Sequence, residues 1–299
     1  MSPPRLVSLA LLAAAIVVGT LADRPRRPPP MTIGGYRVLA VDFHTHSSMW
    51  SDGTLTSWGM VLEARRQGLD AIAITGHNAV GEGKRGRWFS QLVGGPAVLV
   101  GEEITRELGP APYHVIAAGI EESVSGRQDA ASAIDDIHRQ GGIAIAAHPG
   151  PDFWPGFDEA AMQRLDGAEI CHPMIYDVAE GQRDLERFAA RGSVAAIGSS
   201  DFHGIGPLGL CRTFVFARED SVPAILEAVR AHRTVVYGLN GKAYGDPTLV
   251  DLVGGHPRLR DAGEGGAHGG TLDWLGGLAG LAGLAGVLAF DRGASPKAA

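Results

Sequence analysis

Residues 37–53 read RVLAVDFHTHSSMWSDG. The apolar, β-branched run over residues 37–43 predicts a buried strand. It stops at His44-Thr45-His46, and Ser51-Asp52-Gly53 follows. Two strand residues separated by one project to the same side, so His44 and His46 can grip one ion together. A strand that ends in metal-competent side chains is the unit whose recurrence decides the fold.

Moving outward, that unit repeats. A strand over 71–75 ends in Thr75-Gly76-His77-Asn78, and one over 97–104 carries Gly101-Glu102-Glu103-Ile104. His114 opens a strand over 114–120. The strand over 143–147 runs into His148-Pro149, and the strand over 168–171 into His172. The strand over 194–199 runs into Ser200-Asp201-Phe202-His203, and further strands are predicted over 213–217 and 234–237. Helical spacing falls between them, over 55–67, 129–140, 159–165, 178–191 and 222–232. Such alternation predicts a mainly parallel α/β sheet, and the number of units favours closure into a barrel. In a barrel the C-terminal strand ends carry the chemistry. Asp201 and His203 are again separated by one residue and can share an ion. Six of the 11 His, with Asp52, Glu103 and Asp201, fall on this one rim. Nitrogen and carboxylate donors suit Zn²⁺, Mn²⁺ or Fe. Nine such groups exceed the needs of one ion and imply two or three.

The order H-x-H, S-D-G, T-x-H-N, G-x-E-I, H, A-H-P and S-D-x-H resembles the polymerase and histidinol phosphatase (PHP) family, over residues 36–240. The resemblance implies a distorted (β/α)7 TIM-like barrel with a two- or three-metal site. It implies that His44, His46, Glu103 and Asp201 hold one ion, that Glu103 bridges to a second held by His114 and His148, and that Asp52, His77 and His203 hold a third and act in catalysis. The family often has Asp before the His of its second motif. Here that position is Gly76, so His77 is expected to be less firmly oriented. The short interval from His114 to His148 leaves no room for a large insertion, and the site is expected to be open.

The function this implies is metal-dependent hydrolysis, with a metal-activated water attacking a small-molecule phosphate ester. The alternative is carboxyl ester or carbamate hydrolysis, because compact members resemble the carbaryl hydrolase-like branch. A third reading is a membrane-anchored metal-binding or scaffold module without turnover. Lys84, Arg85, Arg87, His172 and Arg212 are the candidates for holding substrate, the Arg side chains by paired hydrogen bonds to phosphate. His138, His232, His256 and His268 read as surface residues, and Glu169 as a buried, paired carboxylate.

Composition narrows the alternatives. A hydrophobic fraction of 45% with 20% charged residues excludes a mostly disordered chain. The 43 Gly residues show no three-residue period, which excludes collagen. The net charge of -7 argues against nucleic acid as a partner. Two cysteines, Cys171 and Cys211, exclude a disulfide framework and read as core residues. The ends differ from the middle. Residues 6–22 form an uncharged apolar run between Arg5 and an Arg/Pro-rich stretch. They read as an uncleaved anchor, a cleaved signal or a buried helix. Residues 274–290 form a second apolar run with small residues, read as an anchor or an apolar tail. The expected organisation is an anchor and linker over 1–30, the hydrolase barrel over 31–240, a linker over 241–270, and an apolar membrane segment with its tail over 271–299. This predicts membrane-embedded helices at both ends and a membrane-anchored protein, with Arg distribution favouring a cytoplasmic face and a secreted or periplasmic one as the alternative if the first run is a signal peptide.

Overall fold

The computed structural model describes residues 3–22, 30–173, 178–238, 241–254 and 271–291. In chain order its elements are α1 (Pro3–Ala22), β1 (Met31–Ile33), β2 (Tyr36–Asp42), α2 (Ser57–Arg66), β3 (Ala71–Ile74), α3 (Gly81–Val93), β4 (Ala97–Arg106) and β5 (Tyr113–Ala118). There follow α4 (Ala130–Arg139), β6 (Ile143–Ala146), a 3-10 turn (Pro151–Gly156), α5 (Glu159–Met162), β7 (Gly167–Cys171), α6 (Val178–Ala189), β8 (Ala195–Gly198), β9 (Thr213–Ala217), α7 (Val222–Arg230), β10 (Thr234–Tyr237), β11 (Ala243–Gly245), α8 (Pro247–Val253) and α9 (Thr271–Asp291).

Local chemistry sets these boundaries. Thr56, Asp129, Asp158, Ser221 and Asp246 each cap a helix by accepting a hydrogen bond from a first-turn backbone N–H. Gly94 closes α3 in the left-handed conformation that glycine adopts without a Cβ penalty. The strands β3 and β6 are buried at every residue, as expected of strands covered on both faces.

One sheet runs β11-β10-β9-β2-β3-β4-β5-β6-β7-β8. Pairs β2–β3, β3–β4, β6–β7 and β7–β8 are parallel. Pairs β4–β5, β5–β6 and β2–β9 are antiparallel. The ends of this sheet nearly meet. Thr213 Oγ1 on β9 accepts from Gly198 N and donates to Gly198 O on β8, each at 2.8 Å. Beyond the strand ends, His46 N donates to Phe202 O at 3.0 Å. The barrel-like expectation therefore holds, with β5 reversed because the connection over 107–112 is too short for a helical crossover.

Leu39, Val41, Phe43, Leu99, Ile116, Ile145, Ile197 and Val215 form one buried cluster, to which α7 adds Ile225, Leu226 and Val229. Other clusters lie where helices pack on the strands, such as Ile134, Ile137 and Phe188 with Val115. A Cβ on Gly83 would lie 3.0 Å from Val100 Cα, and one on Gly86 2.4 Å from Ile74 Cδ1. These glycines let α3 lie directly on β3 and β4.

Two expectations are corrected. Cys171 and Cys211 are core residues, but they are joined as a disulfide. The closure of the sheet brings the end of β7 to the segment before β9, with Cα atoms 5.5 Å apart, within the usual range for such a bond. The second correction concerns the ends of the chain. Residues 1–26 and 266–299 make a unit separate from residues 27–265. Within it α1 and α9 pack through small residues, a Cβ on Gly280 lying 3.4 Å from Ala15 Cβ. Among the described residues no helix is long and apolar enough to cross a membrane. The uncharged runs whose side chains are described, 6–19 and 274–289, would be roughly 21 and 24 Å long as helices, against about 30 Å of hydrocarbon. The membrane-embedded helices, the membrane partner and the membrane-anchored location are therefore withdrawn. Most of the expected linkers, His256 and His268 lie outside the described residues.

Candidate metal centre

The nine expected ligands converge at one end of the barrel, Glu103 from within β4, His114 from the start of β5 and the others from the loops that follow strands. Three groups have donor atoms within 4.8 Å of one another: His44, His46 and Asp201; Glu103, His114 and His148; and His46, Asp52, His77 and His203. A fourth group joins His44 and His148 to His172.

Glu103 is the hub. Its Oε1 lies 2.8 Å from His114 Nδ1 and 3.2 Å from His148 Nε2, while its Oε2 lies 3.0 Å from His77 Nδ1 and 3.5 Å from both His44 Nε2 and His46 Nε2. Asp201 Oδ1 stands 3.3 Å from His44 Nε2 and 3.1 Å from His46 Nε2. Asp52 serves the outer side, at 3.2 Å from His203 Nε2 and 3.4 Å from both His46 Nδ1 and His77 Nε2. The side chains of His44, His46, Glu103 and His114 are buried, whereas those of Asp52, His77 and His203 are 57%, 35% and 30% exposed. Solvent thus reaches the centre past the third group.

This donor set fits divalent cations. The Nε2 atoms of His44 and His46 are 3.0 Å apart. Glu103 Oε1, Asp201 Oδ1, His77 Nδ1 and both ring nitrogens of His114 are buried without an aligned hydrogen bond among the described residues. Atoms this close that do not point at one another point into shared space, and buried polar atoms are not normally left so. Nitrogen and oxygen donors without thiolate suit Zn²⁺, Mn²⁺ or Fe.

The electrostatics follow from the crowding. Burial works against ionisation of Glu103, but the imidazoles of His44, His114 and His148 outweigh it and hold its carboxyl well below the usual range. Asp201 is held far down in the same way, against its burial, chiefly by His44 and His172. Burial opposes protonation of His44, but Asp201, Glu103 and Glu169 reverse this and raise it well above the usual imidazole value. His46, with less compensation, is pushed down by burial. The adjacent Glu103 carboxylate raises His77, against its burial.

A surrounding layer fixes the donors. Glu169, fully buried, accepts from His44 Nδ1 at 3.0 Å, which turns Nε2 inward, and from His148 N at 2.6 Å. Ser51 Oγ lies 3.1 Å from His46 Nδ1. Gly76 makes room for that serine, since a Cβ there would lie 3.0 Å from Ser51 Cβ. The family's Asp is absent, and His77 is instead held to Glu103 by side chain and by a parallel backbone bridge. Asp42 had no predicted role. It accepts from Ser200 N at 3.0 Å, Ser200 Oγ at 2.6 Å and Gly209 N at 2.9 Å, tying β2 to the segment that carries Asp201 and His203. Glu82, also unforeseen, is buried, with Ser57 and Ser47 Oγ donating to it. Those serines flank the loop that bears Asp52. His148 and Asp201 adopt positive φ values of 28° and 45°, left-handed backbone that non-glycine residues hold only when the fold imposes it.

The expected substrate residues separate. His172 enters the centre, its Nε2 3.3 Å from Asp201 Oδ2. The basic residues are placed otherwise. Lys84, Arg85 and Arg87 lie on α3, not in a loop. Arg85 pairs with Glu82 and Arg87 with Glu121. Arg212 is buried and donates to Gly209 O and Gln67 O, which explains the fold around it rather than substrate contact. His138, expected on the surface, is half-buried against Asp166 at 2.8 Å.

Comparison with known proteins agrees with this geometry. The family model described as PHP-associated matches residues 183–234, a span that includes Asp201 and His203. No curated protein matches the chain. A two-domain protein from Bacteroides vulgatus, containing a predicted PHP-like metal-dependent phosphoesterase, is similar at 25% identity with a TM-score of 0.58, over 72% of this chain and 69% of that one. A candidate metal-dependent phosphoesterase from Bifidobacterium adolescentis is 20% identical with a TM-score of 0.46, over 56% of this chain and 90% of that one. An amidohydrolase from Chromobacterium violaceum, crystallised with sulfate and no metal, is 18% identical with a TM-score of 0.45, over 56% and 89%. The last two likenesses are too weak to add weight. The family match and the first structure, with the donor set, support a metal-dependent hydrolase.

Proposed function

We propose that this protein hydrolyses phosphate esters of small molecules with the help of two or three divalent ions. The observation that carries the reading is the nested donor set around Glu103, buried on one side and open to solvent past Asp52, His77 and His203. One ion would be held by His44, His46, Glu103 and Asp201, a second by Glu103, His114 and His148, and a third by Asp52, His77 and His203. Bound divalent ions supply positive charge that activates water and neutralises the phosphoryl oxygens. The chain's own residues do the rest. Glu169 fixes which nitrogen His44 presents, and Asp42 fixes the segment bearing Asp201. The exposed imidazoles of His77 and His203 line the approach of substrate. His172, buried beside Asp201 and His148, would meet only the part of the substrate that reaches deepest into the centre. The likeness to a protein containing a predicted PHP-like phosphoesterase favours a phosphate over a carboxyl substrate.

The test is turnover of p-nitrophenyl phosphate against p-nitrophenyl acetate by the full chain reconstituted with Mn²⁺ or Zn²⁺. Phosphate release should fall at least about a hundredfold in His44→Ala, which removes an inner donor. Turnover of the acetate alone would replace this reading by the ester or carbamate one. Bound metal with no turnover of either would favour a metal-binding module.

A further inference from the structure

The metal centre explains nothing about a second cleft that opens beside it. Three chain segments build its walls: Asn78 after the second motif, residues 105–108 beyond β4, and residues 123–127 before α4. Its volume is about 710 Å³, room for a small organic group. Two of its lining residues adjoin residues of the centre. Asn78 directly follows His77, and its backbone N donates to Glu103 O at 3.0 Å. Glu107, on the opposite edge, reaches to 4.0 Å from His114 Nε2.

The walls are firmly built. Asn78 Nδ2 donates to Thr105 Oγ1 at 2.7 Å, and Thr105 N donates back to Asn78 Oδ1 at 3.3 Å. A Cβ on Gly126 would lie 3.1 Å from both Asn78 Oδ1 and Thr105 O, so the third segment is seated against the other two. Arg106 and Arg127 line this space together with Ser123 and Ser125. Arg106 gives one N–H to Gln128 O at 3.1 Å and keeps its other donors. The Arg127 guanidinium has no hydrogen-bond or ion-pair partner among the described residues, and Arg127 is exposed. Among the described lining residues the one acid is Glu107, whose side chain is 76% exposed, and Asp129 lies close enough to Arg106 to feel its charge.

We propose that this cleft is the pocket for the part of the substrate that leaves, and that it selects a leaving group bearing its own anion, a carboxylate or a second phosphate. This rests on the phosphoesterase reading. An ester held at the metal centre would extend its alcohol portion past Asn78 into the cleft, where Arg106 and Arg127 provide forked donors matched to a planar or tetrahedral anion. Of the basic residues expected to hold substrate, Arg85 and Arg87 are already paired with Glu82 and Glu121.

The experiment compares phenyl phosphate with 4-carboxyphenyl phosphate, using the metal-reconstituted full chain and measuring inorganic phosphate release. The carboxylated ester should be preferred about tenfold in kcat/KM, through a lower KM, and the preference should shrink as NaCl is raised. Arg127→Ala should bring the preference close to one, and Arg127→Lys should restore part of it. Equal efficiency with the two esters, or a preference untouched by Arg127→Ala, would overturn the anionic pocket while leaving the phosphoesterase reading in place. Failure to hydrolyse either ester with metal bound would overturn both.

Discussion

Asp42→Asn is the sharpest test of how the barrel holds its ligands. The native carboxylate is fully buried and receives four hydrogen bonds. Oδ1 takes those of Ser200 N at 3.0 Å and His44 N at 3.3 Å, and Oδ2 those of Ser200 Oγ at 2.6 Å and Gly209 N at 2.9 Å. Asn keeps the shape but has one acceptor oxygen. Placed at Oδ1, that oxygen keeps both backbone donors there. The new NH₂ then faces Ser200 Oγ, which can rotate to accept, and Gly209 N, which is left unpaired. An unpaired buried donor costs about 1–3 kcal/mol, and the remaining bonds lose their charge assistance. Against this, burial raises the Asp42 carboxyl above its ordinary value, so removing the charge recovers part of the cost. The net loss is about 2 kcal/mol, or a fall in melting temperature of about 4–8 °C for a domain of this size. Because Ser200 precedes Asp201, metal retention should weaken with it, by about tenfold. Thermal unfolding followed by circular dichroism, with metal content measured after gel filtration, reads both. A variant that melts within about 1 °C of the native protein and keeps its metal would refute the reasoning.

Glu169→Gln should lower metal affinity by about 10- to 100-fold by freeing the His44 ring, measured by competition with a chromogenic chelator. Chelation of the native protein should lower its melting temperature, and excess Zn²⁺ or Mn²⁺ should restore it, since an ion at 100 times its Kd contributes about 2.7 kcal/mol. Cys171→Ser with Cys211→Ser removes a cross-link spanning 40 residues and should cost about 3–4 kcal/mol, read from urea unfolding. Gly198→Ala should destabilise by more than about 2 kcal/mol, because its Cβ would lie 2.0 Å from Cys211 O at the seam of the sheet.

Much of the barrel is legible in the sequence because its strands are short, buried and closed by helix signals. The runs 71–75, 143–147 and 213–217 differ from the observed strands by at most one residue. What resists reading has local causes. Gly81, Gly83 and Gly86 hide α3, since glycine disfavours helix and here serves close packing instead. The Gly- and Asp-rich stretch after 241 reads as linker, yet Leu249 and Val253 bury a short helix and Ala243–Gly245 pairs with β10. The reversal of β5 follows from a connection over 107–112 that is too short for a crossover, and the repeated strand–helix pattern obscures it.

The centre divides along the same line. Its donors announce themselves because each sits where an apolar run stops, so His44, His77, Glu103, His148 and Asp201 are visible as chemistry interrupting hydrophobicity. The residues that aim them are not visible in this way. Asp42 ends a strand, where a lone acid looks like a lapse in the pattern, Glu169 reads as buried and paired but without a named partner, and Glu82 lies in a charged stretch. Only the three-dimensional closure shows why each is tolerated. A buried carboxylate persists where several donors converge on it, and here those donors belong to the segments that carry ligands: the His44 ring and His148 N on Glu169, Ser200 and Gly209 on Asp42, Ser47 and Ser57 on Glu82. The cost of burying these acids is thus tied to the order of the site, and loosening any one of them should be felt at the donors before it is felt in the fold.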